Sequence, residues 1–288
     1  MVQQLRALGV NISGHPATGY ALSKVPDLLL PEYLARHLRG TIFAGRIHHY
    51  FRIGSTNATA LEAAARGESE GSVFLAEEQI AGRGRSGNQW HSEKSVGIYC
   101  SFVLRPQLPP ADALALSLLT GLAVQKAVKQ VTGLNPDLRW PNDLLLNEKK
   151  FCGILTEMNA EPTRVRYAVC GIGLNVNHSA FPARLREGAT SVRIESGREW
   201  PRIELLAALL QSLDREYRAF SAVTVNDVFR RFEQHSSYAR RKQVRVEEDG
   251  GFEGVTDGLD ARGFLRVRTS TGVRTVLSGG VRPLASRD

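Results

Sequence analysis

The sequence is poor in cysteine and has no long uninterrupted apolar segment, and both absences narrow the protein classes to consider. Its 288 residues include three cysteines, Cys100, Cys152 and Cys170, which form no C-x-x-C pair. This number and spacing argue against a disulfide framework or a zinc site and fit a reducing cytoplasm. The first residues lack an apolar core followed by a small-residue cleavage site, so we do not expect secretion. The most apolar stretch, 111–128, is interrupted by polar residues and predicts a buried helix instead of a membrane span.

Positive charge is in excess but unevenly distributed. The net charge is +8; residues 1–52 carry a surplus of +4 and residues 222–288 a surplus of +3, which leaves +1 for the segment between them. A basic protein suggests an anionic partner such as nucleic acid. Because the surplus lies at both ends and the chemical motifs lie in the nearly neutral middle, charge alone indicates anionic ligands without choosing among them.

The pattern of apolar and turn-forming residues divides the chain into three segments. Residues 1–40 predict the end of a short helix, a turn-rich hairpin over 11–23 and a connection punctuated by proline. Residues 41–235 mix strands with helices at regular apolar spacing. Ser55 is the predicted N-cap ahead of a helix over 58–67, and a long helix is predicted over 109–132. Residues 151–158 and 165–172 predict a pair of strands. Residues 236–288 alternate short strands with glycine-rich turns, the pattern of a small β-barrel of about 50 residues. We therefore expect an α+β fold, with a mixed β-sheet and flanking helices followed by a small all-β domain.

The strongest local motif is the G-R-G-R-S-G run at 82–87, which lies between two predicted strands. Its glycines, Gly84 among them, let the backbone approach a ligand closely. Arg83 and Arg85 supply planar, permanently charged groups suited to carboxylate and phosphate oxygens. The alternative interpretation is a flexible basic surface loop, but this spacing is more specific than a lone G-x-G-x-x-G.

A second motif, R-W-P-N-D at 139–143, is followed by two lysines and Gly153. The proline favours an extended conformation for the residue before it, and Asn142 and Asp143 then open a strand. An Asn-Asp turn with lysines on its rim is the alternative, and we prefer it for Lys149. Lys150 precedes an apolar strand and is expected to reach inward as a point charge for a phosphate or carboxylate.

The third motif, G-I-G-L-N-V-N at 171–177, ends a predicted strand. Its glycines again suit close approach to a ligand, and Asn175 offers a donor and an acceptor for a purine or a ribose. Glycine and asparagine are also common turn formers, so this motif carries little weight by itself.

Taken in order, these motifs resemble those of the biotin protein ligases, the biotin–[acetyl-CoA-carboxylase] ligases. The matching segments are S-T-N at 55–57, E-x-Q-x-A-G-R-G-R-x-G from 77, W-P-N-D from 140, K-x-x-G-I-L from 150 and G-I-G-L-N-V-N from 171. They span about 120 residues, and the resemblance continues weakly to the C-terminus. Five motifs in family order make a chance match very improbable.

The resemblance implies a catalytic domain like that of class II aminoacyl-tRNA synthetases, at 41–235, and an SH3-like barrel at 236–288. ATP, biotin and Mg²⁺ are the implied small molecules. Biotin is adenylated to biotinyl-5′-AMP and then transferred to a lysine of a biotin carboxyl carrier protein. The residues implied to bind these substrates are Ser55, Thr56, Asn57, Gln79, Arg83, Gly84, Arg85, Asn142, Lys150, Gly153 and Asn175.

Charge suits this chemistry, because two anions must meet when the biotin carboxylate attacks the α-phosphate of ATP. We expect Arg83, Arg85 and Lys150 to stabilise that transition state. Asp143 is the candidate for orienting or deprotonating the incoming lysine, with a Mg²⁺ contact or a structural role as alternatives. The glycine-rich loop is expected to shield the adenylate from water. No residue is predicted to be a resident metal ligand.

Three departures from the family pattern stand out. Ser86 and Asn88 occupy positions where some relatives carry further arginines, which predicts a weaker grip on phosphate. Arg139 replaces the usual lysine before W-P-N-D. The segment 278–284, S-G-G-V-R-P-L, lacks the acidic residue of the family's G-E motif, which leaves open the barrel's contribution to the ATP site.

Residues 1–40 resemble the last part of a winged-helix domain, without its two preceding helices. We interpret them as a remnant and expect no specific DNA binding, because a recognition helix needs a supporting core; a start codon assigned too late is the competing explanation. The rival functions are a biotin-responsive repressor, a lipoate ligase and a general nucleic-acid binder. We expect a cytoplasmic protein without membrane contact, and a homodimer is one oligomeric state that the resemblance allows.

Overall fold

A computed structural model describes residues 2–3, 12–22, 27–220, 224–248 and 250–284. Within these residues the chain forms fourteen β-strands and six α-helices. The strands are β1 (Ile12–His15), β2 (Gly19–Leu22), β3 (Ile47–Tyr50), β4 (Val73–Ala76), β5 (Gly97–Leu104), β6 (Asp137–Arg139), β7 (Asp143–Leu146), β8 (Lys149–Ala160), β9 (Val165–Asn175), β10 (Arg240–Val246), β11 (Phe252–Leu259), β12 (Leu265–Thr269), β13 (Gly272–Val276) and β14 (Val281–Pro283). The helices are α1 (Pro31–Ala35), α2 (Thr56–Ala65), α3 (Leu114–Thr132), α4 (Val192–Ser196), α5 (Arg202–Phe220) and α6 (Val225–His235).

The ends of the helices follow local sequence signals. Ser55 precedes α2 in an extended conformation, and its side chain accepts a hydrogen bond from the backbone N–H of Ala58, as the predicted N-cap requires. Gly133 ends α3 in the left-handed conformation, with φ of 75°, which glycine adopts without steric cost. The prediction of these two helices is confirmed.

A seven-stranded mixed sheet, in the order β3-β4-β5-β9-β8-β7-β6, forms the centre of the larger part of the molecule. β3 and β4 run parallel, and the other neighbours are antiparallel. Side chains alternate between the two faces along each strand. One face, called the core face, carries apolar residues of β5, β8 and β9 that pack against α3 and α5: Ile98, Cys100, Phe102, Cys152, Ile154, Cys170, Ile172 and Leu174.

The central core helix is apolar enough to be compared with a membrane span. The segment Pro110–Thr132 meets the length and composition of such a span, but 78% of its most apolar window is buried inside the protein. It contacts α5, α6 and the strands of the central sheet. Its apolar composition is thus explained by the core it occupies, as the sequence predicted.

The opposite face of the sheet, called the cavity face, is only partly covered. Near α2 it carries a small apolar cluster that includes Ala60, Phe74, Val103 and Val169. Further along the same strands the apolar side chains give way to glycine and polar residues, and this part of the face remains open.

The C-terminal part forms a five-stranded antiparallel sheet in the order β13-β12-β11-β10-β14, where the sequence predicts a small β-barrel. It packs against the larger part through specific polar contacts. The indole Nε1 of Trp140 donates to the Gly263 carbonyl at 3.0 Å, and the Ser236 hydroxyl donates to the Leu138 carbonyl at 2.5 Å. The predicted combination of a mixed sheet with helices and a C-terminal β-domain is confirmed.

Near the N-terminus, β1 and β2 pair as an antiparallel hairpin, where a turn-rich hairpin is expected. The helix end predicted for residues 3–10 lies almost wholly outside the described residues. The proposed segment boundaries at 40 and 235 stay predictions.

Candidate active site

A cavity of about 340 Å³ lies on the cavity face, within the volume range of small-molecule sites. The start of α2, the 82–90 loop and strands β7, β8 and β9 enclose it, and the β14 edge of the C-terminal sheet closes one side. The structure brings together here all but one of the predicted site residues: Ser55, Thr56, Asn57, Gln79, Arg83, Gly84, Arg85, Asn142, Asp143, Lys150 and Gly153.

Three glycines form the floor of the cavity. Gly153 on β8 pairs with Gly173 on β9, and Gly171 lies two residues before Gly173 on the same face. The indole ring of Trp90 covers two of them: a Cβ added at Gly153 would lie 2.8 Å from the Trp90 ring, and one at Gly173 would overlap it. Any larger residue at these positions would displace the ring or fill the cavity.

One end of the cavity is polar and uncharged. The Gln79 carbonyl oxygen accepts hydrogen bonds from the backbone N–H of Thr56 at 2.9 Å and from its hydroxyl at 3.1 Å. The Gln79 amide nitrogen donates to the Ser92 hydroxyl at 2.9 Å. Because the Thr56 hydroxyl uses its hydrogen on Gln79, the Ser101 hydroxyl donates to it across 2.8 Å. Asn57 completes this end, and its amide nitrogen donates to the Glu157 carboxylate at 2.5 Å.

The other end of the cavity carries excess positive charge, with two cationic side chains next to Asp143. One carboxylate oxygen of Asp143 lies 2.5 Å from Lys150 Nζ, and the other lies 2.7 Å from an Arg139 nitrogen. Burial opposes ionisation, but Lys150 and then Arg139 outweigh it and hold the pKa of Asp143 below its usual value. A carboxylate with a lowered pKa is a weak base. The arrangement therefore favours a role for Asp143 in holding Lys150 over deprotonation of a substrate lysine.

The two loop arginines have different surroundings. Arg85 donates to the Asn142 side-chain oxygen at 3.2 Å. Burial lowers the pKa of Arg85, although Asp143 nearby raises it, and arginine stays charged in proteins. Arg83 is exposed on the cavity rim, and no residue in the described part of the chain binds its guanidinium. It is therefore available to an anionic ligand.

Lys150 is held through its backbone by the segment that follows β9. Its N–H donates to the Gly188 carbonyl at 2.8 Å, and its carbonyl accepts from the Thr190 N–H at 2.9 Å. Asn175 belongs to this support: it is buried, and its amide nitrogen donates to the Thr190 carbonyl at 3.0 Å. In this structure Asn175 does not line the cavity, so its contact with a purine or ribose stays a prediction. At the end of β9, the Asn175 side-chain amide lies against the segment around Thr190 instead.

Several cavity residues lie outside the predicted site. Trp90 and Ser101 carry no motif signal of their own, since a tryptophan after a loop and a serine in an apolar strand are ordinary. Glu247 and Arg282 reach the rim from the C-terminal sheet, with Arg282 Nε 2.6 Å from Glu247 Oε1. Because these two are more than 30 residues apart in sequence, only the fold brings them together. The C-terminal sheet thus contributes to the cavity wall despite the altered G-E segment.

Comparison with known proteins agrees with this geometry. Residues 51–175 match the biotin/lipoate A/B protein ligase family, and residues 242–281 match the biotin protein ligase C terminal domain. The chain is 32% identical to the bifunctional ligase/repressor BirA of Bacillus spizizenii over 282 residues, covering 97% of this chain and 87% of that protein. It is 35% identical to the biotin–[acetyl-CoA-carboxylase] ligase of Mycobacterium tuberculosis over 264 residues, covering 87% and 95% respectively.

Among solved structures, the biotin protein ligase from Aquifex aeolicus in complex with biotin and ATP superposes with a TM-score of 0.72 at 28% identity. The match covers 84% of this chain and all of that one. Motifs, fold, cavity and relatives agree, and the chain belongs to the biotin protein ligases.

Proposed function

We propose that the cavity binds biotin and ATP, forms biotinyl-5′-AMP, and transfers the biotinyl group to a lysine of a biotin carboxyl carrier domain. The observation that carries this proposal is the division of the cavity into a neutral hydrogen-bonding end and a cationic end, joined by a glycine floor. Biotin has the same division: its ureido ring is neutral and polar, and its valeryl chain ends in a carboxylate.

The two ends explain the preference for biotin over lipoate. The ring of lipoate has two sulfurs and no N–H group. It would leave the side-chain oxygen of Asn57, which has no hydrogen-bond donor among the described residues, without a partner, and an unpaired buried polar group strongly reduces affinity. The solved structure from Aquifex aeolicus that superposes with this chain is a biotin protein ligase in complex with biotin and ATP.

In the first step an oxygen of the biotin carboxylate attacks the α-phosphorus of ATP, and the bond to pyrophosphate breaks. Negative charge is crowded at this point, and fixed cations in a site shielded from water are most effective there. Lys150 and Arg85 are held in place by Asp143 and Asn142, so little reorganisation is needed. Arg83 is unpaired in the described structure and is placed to close on phosphate or carboxylate oxygens.

Mg²⁺ enters this proposal as part of the nucleotide substrate. The described residues contain no group of three or more His, Cys, Asp or Glu side chains that could hold a metal ion. The two carboxylates on the cavity wall, Asp143 and Glu247, are both ion-paired. Phosphate oxygens are ligands that Mg²⁺ prefers, so the triphosphate itself is the proposed ligand.

In the second step the neutral amine of the carrier lysine attacks the acyl carbon of the mixed anhydride, AMP leaves, and the nitrogen loses a proton. A purified carrier domain incubated with the protein, ATP, Mg²⁺ and biotin should gain one biotinyl group at its lysine by mass spectrometry. A carrier with that lysine changed to arginine is the matched control and should gain none. Modification of both carriers, or of neither, would contradict the proposed transfer.

Transcriptional repression is the second candidate function, favoured by the similarity over 97% of the chain to a protein named as a bifunctional ligase/repressor. The expected absence of specific DNA binding stays a prediction. A gel-shift assay on the DNA upstream of biotin genes, at stated salt, distinguishes the two. A specific nanomolar shift that depends on biotin and ATP would establish the repressor function.

A further inference from the structure

Two side-chain amides face the neutral end of the cavity, and each must present its oxygen and nitrogen in a defined direction. Gln79 is oriented by the backbone N–H of Thr56, which can only donate. The Gln79 oxygen must therefore face Thr56, and its nitrogen faces Ser92. Both polar atoms of Gln79 are thus already bonded within the protein.

Asn57 is oriented by a hydrogen-bond acceptor, whereas Gln79 is oriented by a donor. Its amide nitrogen lies 2.5 Å from Glu157 Oε2, and an ionised carboxylate can only accept hydrogen bonds. If the amide were turned round, two oxygens would meet at this distance and repel each other. Glu157 therefore fixes the nitrogen towards itself and the oxygen towards Gly171 on the cavity wall.

The oxygen of Asn57 has no partner within the described residues. It is shielded from solvent, and no described group donates a hydrogen bond to it. Gly171 lies so close to this oxygen that a methyl group at position 171 would overlap it. A buried acceptor without a donor is costly, and a ligand N–H that reaches it recovers that cost.

We propose that Glu157 is a positioning residue for specificity: it fixes the Asn57 amide so that its oxygen receives an N–H of the ligand. This inference rests on the proposed function, in which that N–H belongs to the ureido ring of biotin. Glu157 itself does not line the cavity. It acts through Asn57, two residues after the N-cap of α2, from a position on β8 four residues beyond Gly153.

The substitution that tests this idea is Glu157→Gln, which keeps the size of the side chain. A glutamine can donate as well as accept, so Asn57 is no longer held in one orientation. We expect the Kd for biotin, measured by calorimetry, to rise about tenfold, and KM for biotin to rise with it. The kcat at saturating biotin should stay within about twofold, because no group at the phosphate end changes.

Glu161→Gln is the matched control, since the Glu161 side chain is 41% exposed and pairs with Arg164 and Arg166 away from the cavity. It should leave both constants unchanged. Binding of a biotin analogue methylated at both ureido nitrogens gives a second measurement. If Glu157 had only a structural role, its substitution would not change the discrimination between biotin and this analogue. The wild-type protein should discriminate strongly against it, and Glu157→Gln should discriminate about tenfold less. In an Asn57→Ala background, Glu157→Gln should have no further effect on Kd.

The outcomes separate this inference from the function on which it rests. If the wild-type protein binds no biotin, the proposed function fails. If the wild-type protein binds biotin and Glu157→Gln binds it equally well, the positioning role is overturned. Should Glu157→Gln not fold, Glu157→Asp decides, because it keeps an acceptor-only group. We expect it to bind biotin within about threefold of wild type, and a loss as large as that of Asn57→Ala would overturn the idea.

Discussion

The two faces of the central sheet are built from the same strands but serve opposite purposes. On β9, Ile172 points into the core against α3 and α5, whereas Gly171 and Gly173 on either side of it face the cavity. The core face is closed by apolar packing. On the cavity face, glycines take the place of larger side chains and leave an open cavity. Polar groups line this cavity, which a ligand can fill.

This difference shows how alternate residues of one strand can contribute separately to stability and to ligand binding. Side chains that alternate at every residue allow neighbouring positions to be optimised for different tasks. The apolar core-face residues of β5, β8 and β9 include only thiols as titratable groups, whereas charged side chains such as Arg85, Asp143 and Lys150 line the cavity. Substitutions at adjacent residues should therefore have effects of different kinds.

The largest effect is expected from Gly173→Val. Its side chain would overlap the Trp90 ring and fill the floor of the cavity. We expect kcat/KM for biotin adenylation to fall at least about a thousandfold, about 4 kcal/mol of transition-state stabilisation. The free energy of unfolding should fall by much less. An active Gly173→Val enzyme would show that the glycine floor does not contact the ligand.

The neighbouring substitution Ile172→Ala should have the reverse effect. Ile172 is 3% exposed in the main core, and truncation of such a residue costs about 2–5 kcal/mol of stability. Urea unfolding measures this loss. The KM for biotin of the protein that remains folded should stay within about twofold, and a large rise in KM would show that the two faces are not independent.

A pH effect is expected from His178, which follows β9 and lies 3.2 Å from the hydroxyl of Tyr99 on the cavity face. Burial, with smaller contributions from His91 and Arg202, lowers the pKa of His178 to about 4. An unfolded histidine titrates near pH 6.5. Between these values the unfolded chain binds a proton that the folded chain does not, so stability falls as the pH falls.

The loss attributable to His178 between pH 7.5 and pH 4.5 should be about 2–3 kcal/mol. Urea unfolding at both pH values, on the wild type and on His178→Asn, measures it. The variant cannot titrate at this position, so its stability should decrease less than that of the wild type by this amount. Equal decreases would mean that His178 is protonated in the folded protein.

The smallest effect is expected at the cysteines of the core face. All three are free and buried, and burial raises the pKa of Cys100 to about 12 and that of Cys170 to about 11. Thiolates are the reactive form. At pH 8 an aromatic disulfide reagent should therefore leave the folded protein unmodified and fully active, and should react with all three thiols in urea. Rapid modification of the folded protein would indicate that the core face opens.

The sequence allowed most of this architecture to be predicted where local signals are strong. The N-cap at Ser55, the apolar spacing of α3 and the ordered motifs identify the elements and most of the cavity residues. The predicted strands at 151–158 and 165–172 prove longer, Lys149–Ala160 and Val165–Asn175, because residues beyond the apolar segments also pair with neighbouring strands of the sheet.

What could not be predicted depends on contacts between distant segments. The position of Trp90 over the glycines, the neutralisation of Asp143 by Lys150 and Arg139, and the engagement of Asn175 with Thr190 are tertiary contacts without a local signature. The same holds for the approach of the C-terminal sheet to the cavity.

The most direct test of the central claim is mass spectrometry of the acyl-adenylate formed by the purified protein. The protein is incubated with ATP, Mg²⁺ and an equimolar mixture of biotin and lipoate, without a carrier domain. The two ends of the cavity predict biotinyl-5′-AMP and no lipoyl-5′-AMP. Lipoyl-5′-AMP as the main product, or the absence of any adenylate, would contradict the account.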